Sequence, residues 1–149
     1  MISAGVAQRD SLLFVYGTLR AFVDIPMARR LRLASRYVGR ARVRGRLYDL
    51  GRYPGLVAAR RRDEWVVGEL YELAPGSDLL RALDRYEAGP AGRERPRFVR
   101  QRTHAVLDGH RKVAVWVYRY RRRVRPQTRI ASGDYRLHVA GPDELAREE

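Results

Sequence analysis

Leu12 to Tyr16 (LLFVY) is an unbroken apolar run that stops at Gly17. Apolar side chains at successive positions predict a strand buried on both faces, and the glycine predicts a tight turn after it. Helical spacing follows. Asp24 is placed to cap a helix with Pro26 in its first turn, carrying Met27, Leu31, Ala34 and Val38 on one face. From Arg40 to Leu47 the period drops to two, with Ala41, Val43, Gly45 and Leu47 on one side and Arg40, Arg42, Arg44 and Arg46 on the other. That alternation predicts a strand with one wet face. Gly51, Pro54 and Gly55 read as turns. Trp65 to Leu73 reads as another strand, closed by Ala74-Pro75-Gly76. Ser77 or Asp78 then caps a short helix through Tyr86, stopped by Gly89 and Pro90.

Two further strands are predicted over Phe98–Leu107 and Val113–Tyr120, joined by Asp108-Gly109, a hairpin signal. The second is apolar on both faces, so it belongs in the middle of a sheet or in a barrel wall. Helix and strand do not alternate regularly, which argues against a doubly wound sheet. The pattern indicates an α+β domain whose curved sheet either closes into a barrel or stays open with helices on one face. No linker or repeat divides the chain, so residues 1–149 are expected to form one domain, with 1–10 and 142–149 as peripheral tails.

The length of 149 residues suits a single core, and 45% apolar with 32% charged residues indicates neither a membrane protein nor a disordered tail. No apolar run approaches the roughly 20 residues of a membrane span. Met1 to Asp10 lacks a secretory pattern, so a cytoplasmic location is expected. The absence of cysteine excludes disulfides, thiolate nucleophiles and cysteine-ligated zinc. Charge is the most biased quantity: 31 Lys+Arg against 17 Asp+Glu gives +14. Lys112 is the sole lysine, and the arginines are spread along the chain instead of clustered. The favoured reading is a biased, solvated surface and no specific nucleic-acid site.

Two segments carry candidate chemistry. On the second helix, Leu79, Leu80, Leu83 and Tyr86 form an apolar stripe, and Glu87 lies four residues after Leu83 on that same face. A carboxylate there is either a general base with a raised pKa or the partner of an arginine such as Arg85 or Arg93. The turn after the first strand, Tyr16-Gly17-Thr18-Leu19-Arg20, can aim backbone N–H groups at a carboxylate or oxyanion, with Arg20 adding a charged donor. It has neither the Walker spacing nor the dinucleotide glycine triplet.

The ordered set Phe14–Arg20, Gly45–Leu50, Tyr53–Leu56, Val67–Tyr71, Leu83–Glu87, Arg100, Val117–Tyr120 and Ser132–Tyr135 resembles the gamma-glutamylcyclotransferase-like superfamily. The resemblance runs from about Leu12 to Tyr135. It implies a small mixed β-barrel with flanking short helices and a cavity beside the first strand. It also implies cleavage of a small γ-glutamyl amide into 5-oxoproline and a free amine, with no metal, nucleotide or covalent intermediate. Tyr16, Gly17, Thr18 and Leu19 match the substrate loop, and Arg20 directly follows it. Glu87 matches the acid/base, and Tyr118 or Tyr120 matches a pocket-lining aromatic. Two positions depart from the family pattern: Glu87-Ala88-Gly89 stands where Glu-Gly is common, and Phe98 where a tyrosine is common.

The remaining candidates read as structural. His104, His110 and His138 lack metal-ligand spacing, Ser132 lacks a nucleophile context, Asp84 caps or pairs locally, Asp134 fixes a turn, and Trp65 and Trp116 sit in the core or at its rim. Two alternatives to the enzyme stay open. One is a non-catalytic member of the fold that binds a small acidic ligand. The other is a polyanion-binding module using the Arg40–Arg46 face with Arg119–Arg125. The leaving amine and the oligomeric state are not legible.

Overall fold

A computed structural model describes residues 11–20, 25–89, 95–107 and 110–140. In chain order these form β1 (Leu12–Val15), α1 (Pro26–Ala34), β2 (Ser35–Arg44), β3 (Arg46–Asp49), β4 (Pro54–Val57), β5 (Trp65–Leu73), α2 (Leu79–Ala88), β6 (Phe98–Leu107) and β7 (Arg111–Tyr120). A 3₁₀ turn over Pro126–Thr128 and a helix over residues 135–140 follow. Five strands close a barrel in the order β1-β5-β2-β6-β7, while β3 and β4 make a separate antiparallel pair. Only the β1–β7 seam of the barrel is parallel, so the barrel is mixed, as expected of this α+β chain.

Closure explains the unbroken apolar run of β1. Leu12 and Phe14 point into the barrel with Val43, Val66, Leu70, Val115 and Val117. Leu13 and Val15 point outward, where Leu31 of α1 and Leu79 and Leu83 of α2 cover them. Each such fully buried side chain contributes about 1.5–3 kcal/mol. The outer face of β2 is different: Arg40, Arg42 and Arg44 stand exposed between buried Ala41 and Val43. The Arg42 and Arg44 guanidinium carbons lie 4.2 and 5.2 Å from the Trp65 ring centroid.

Several expected boundaries move. The first helix ends at Ala34, and Val38 belongs to β2, at a bulge between Tyr37 and Gly39, because pairing of Ser35–Tyr37 with β5 replaces further helical turns. The strand expected from Arg40 to Leu47 breaks at Gly45, where the chain leaves the barrel for the β3–β4 pair. Pro54 and Gly55 are strand residues of β4, a two-stranded sheet in which a proline at the strand start forfeits little. Asp24, the Asp108-Gly109 turn and the acidic tail lie outside the described residues, although β6 and β7 pair directly up to Leu107–Arg111. No helix among the described residues is long and apolar enough to cross a membrane.

Candidate active site

A cavity of about 320 Å³ opens beside the end of β1. Its floor is Phe14 to Tyr16, and one wall is the turn of Gly17, Thr18 and Leu19. Tyr53 and Pro54, the end of α2 at Tyr86, Glu87 and Gly89, Arg97 and Phe98 at the start of β6, and Tyr118 on β7 complete it. The volume lies at the small end of the usual ligand-site range.

Local sequence explains each wall. The turn closes with the Arg20 N–H on the Gly17 carbonyl at 3.1 Å, and no other backbone bond among the described residues uses its N–H groups. Pro54 packs so tightly on Gly17 that a Cβ there would stand 2.6 Å from the ring. Any larger residue would push the β4 edge off the turn. On the opposite wall Leu79, Ala82 and Leu83 hold α2 on the barrel, and Ser77 Oγ accepts the Leu79 N–H at 3.1 Å. Asp78 occupies the N-cap position without a side-chain bond. The helix ends at Ala88, and Gly89 turns away with φ 82°. Glu87 therefore sits in the last turn, facing the cavity. Tyr86, expected on the buried stripe, lies at the cavity mouth and is 43% exposed.

Glu87 forms no ion pair or hydrogen bond among the described residues; Arg85 is exposed and does not reach it, and Arg93 lies outside the described residues. The residue is half-buried, and the withdrawal of water from its carboxyl pushes the pKa up to about 7. Burial likewise raises the phenols of Tyr16 and Tyr118; the Glu87 charge adds to the first, and the hydrogen bond and charge of Asp84 add to the second. Both remain neutral hydroxyls at physiological pH.

Those hydroxyls already have protein partners. Tyr16 donates to the Tyr118 carbonyl at 2.5 Å and accepts the Leu56 N–H at 3.3 Å. Tyr118 donates to Asp84 Oδ1 at 2.6 Å, and Arg100 holds that carboxylate through both oxygens. Asp84 thus ties α2 to β6 and β7 instead of capping its own helix. Of the two candidate aromatics, Tyr118 lines the cavity. Tyr120 does not; it packs behind Phe98 with ring centroids 5.3 Å apart.

Arg20 also departs from expectation. It is not on the cavity wall but 3% exposed inside the protein, with Nε 3.0 Å from Glu69 Oε2 and an NH1 contact of 2.7 Å to Asp134 Oδ1. Asp134 also caps the turn expected of it, accepting the Arg136 N–H at 3.0 Å. Arg97 reaches the cavity without having been singled out, and Tyr53 and Tyr86, which no reading had placed in a site, line it as well. Arg97 lies in an arginine-rich stretch with no period to mark it. No group of three His, Asp or Glu side chains among the described residues is gathered as a metal-ligand set.

The family model described as gamma-glutamyl cyclotransferase, AIG2-like matches residues 13–137. The chain belongs to that family. Solved structures agree on the fold of this AIG2-like chain. YkqA from Bacillus subtilis is 25% identical with a TM-score of 0.66; the match covers 94% of this chain but only 43% of YkqA. An AIG2-like protein from Mus musculus is 21% identical with a TM-score of 0.65, covering 89% of this chain and 91% of its own. A structure titled gamma-glutamyl cyclotransferase is 15% identical with a TM-score of 0.52, covering 78% and 72% respectively. Among curated proteins no sequence matches it.

Proposed function

We propose that this AIG2-like protein is a cyclotransferase that cleaves a small γ-glutamyl amide into 5-oxoproline and a free amine. The observation that carries the reading is one carboxylate, without a partner among the described residues, in a small cavity walled by a glycine turn. The substrate's own α-amine is the nucleophile, but at neutral pH it is protonated and inert. Ionised Glu87 takes a proton from it. The neutral amine then attacks the γ-carbonyl carbon, forming a carbon–nitrogen bond and a five-membered ring. Negative charge develops on the carbonyl oxygen, where N–H groups of the Gly17–Leu19 turn can stabilise it; the same turn is also suited to the α-carboxylate.

Protonated Glu87 next gives its proton to the departing nitrogen as the old amide bond breaks. The ring nitrogen loses its second proton to the regenerated carboxylate, which passes it to the released amine. Two protons thus travel from the α-nitrogen to the leaving nitrogen through one group. A carboxyl with pKa about 7 is matched to accepting and returning a proton at neutral pH. The cavity's small size favours the curled, ring-closing conformer over the extended one.

The test is 5-oxoproline release from a panel of γ-glutamyl amides by wild type and Glu87→Gln. The variant keeps the shape and is expected to lose roughly 10²–10⁴-fold in rate. Equal activity of the two proteins would overturn the assignment of Glu87. No turnover of any panel member by wild type would overturn the enzymatic reading in favour of ligand binding alone.

A further inference from the structure

Among the described residues the cavity wall holds one guanidinium, Arg97, and two separate contacts fix where it sits. Its backbone N–H bonds to the Ala88 carbonyl at 3.0 Å, at the end of α2, and its NH1 donates to the Tyr53 hydroxyl across the cavity mouth. Between these points the side chain passes directly over Gly89, where a Cβ would lie 2.4 Å from Nε. Gly89 therefore leaves a bare backbone for Arg97 to cross. Among the described residues Arg97 forms no ion pair, and in particular none with Glu87 in the same cavity. Four of its five N–H groups form no hydrogen bond within the described residues.

We infer that Arg97 is the residue by which this cavity recognises a carboxylate of its substrate. Among the described residues, one cavity offers an anion and a cation that form no ion pair with each other or with another group. That pair complements a zwitterion whose ammonium goes to Glu87 and whose carboxylate goes to the guanidinium fork. The inference rests on the cyclotransferase reading and narrows its substrate. The carboxylate comes from one of two sources: the α-carboxylate of the glutamyl unit, or one carried by the departing amine.

The experiment compares wild type, Arg97→Gln and Arg97→Lys on γ-glutamylglycine and on γ-glutamylmethylamide, which lacks a carboxylate on the departing amine. Calorimetric titration with 5-oxoproline is run in parallel. Loss of a charged hydrogen-bonding partner is expected to raise KM roughly 10- to 100-fold in Arg97→Gln, with kcat changed far less. Arg97→Lys is expected to recover part of that loss. An effect on γ-glutamylglycine alone assigns the departing carboxylate; an equal effect on both substrates and on 5-oxoproline assigns the α-carboxylate.

Values within twofold of wild type for every ligand would overturn the inference. So would a loss of equal size in Tyr53→Phe, which keeps the guanidinium and removes only its bridge across the mouth. If wild type forms no 5-oxoproline yet binds it in an Arg97-dependent way, the cyclotransferase reading falls and carboxylate recognition stands. Failure of wild type to bind any of these ligands overturns carboxylate recognition as well.

Discussion

Two regions of this molecule bury charge, in opposite ways. Around Arg20, Glu69 and Asp134, a guanidinium and two carboxylates are 3–7% exposed and bonded to one another, and Arg40 reaches Asp134 from outside at 3.4 Å. At Glu87, a carboxylate is desolvated with no protein partner among the described residues, and its pKa rises to about 7. Withdrawing a charge from water is costly, and the first region offsets that cost with ion pairs and hydrogen bonds. The second has no such offset among the described residues, which leaves the carboxyl poised to exchange a proton. Matched burial is the pattern of a scaffold, and unmatched burial is the pattern that sites of proton chemistry favour.

The sharpest way to break that contrast is to unpair the first region. Arg20→Met leaves Glu69 and Asp134 buried without their shared cation, and is expected to lose about 3–5 kcal/mol in denaturant unfolding. A loss below about 1 kcal/mol would mean that the cluster is not the anchor its geometry suggests. Because Arg20 directly follows the Gly17–Leu19 turn, the same variant is expected to loosen that turn even where the protein stays folded.

The second region gives an effect of opposite sign. A carboxyl with folded pKa about 7 and an ordinary value of 4.5 favours the folded state when protonated. Its contribution is therefore fully present below about pH 4.5 and lost as pH rises through about 7. Glu87→Gln, neutral at every pH, is expected to melt higher than wild type above pH 7 and nearly level with it below pH 4.5. A variant less stable than wild type at pH 8 would indicate that ionised Glu87 has a stabilising partner. The smallest effect belongs to the outer face of β2. Arg42→Gln and Arg44→Gln sit on exposed positions over Trp65 and are expected to change stability by no more than about 0.5 kcal/mol. A larger loss there would show that the arginine face is structural and more than a compositional bias.

Local periodicity carries much of this architecture. The apolar run of β1, the strand over Trp65–Leu73 and the position of Glu87 on the stripe of α2 all follow from spacing along the chain. What periodicity misses is closure. Arg20 stands beside a glycine turn and so reads as a substrate contact, yet its partners lie 49 and 114 residues away and meet it only when the barrel closes. Tyr118 and Tyr120 share a strand face by period, and the choice between them depends on where α2 and Phe98 pack. Arg97 is hidden for the same reason: its neighbours Gly89 and Tyr53 come from other elements. Pro54 misleads as a turn residue because its place in a two-stranded pair is a property of the pairing, not of the tripeptide.

The most direct measurement is the side-chain carboxyl ¹³C chemical shift of Glu87 followed by NMR from pH 3 to pH 9, assigned by its disappearance in Glu87→Gln. The expected midpoint is about 7, set by burial without a countercharge. A midpoint at or below 4.5 would show a solvated or ion-paired carboxylate, and would contradict a proton shuttle at this position.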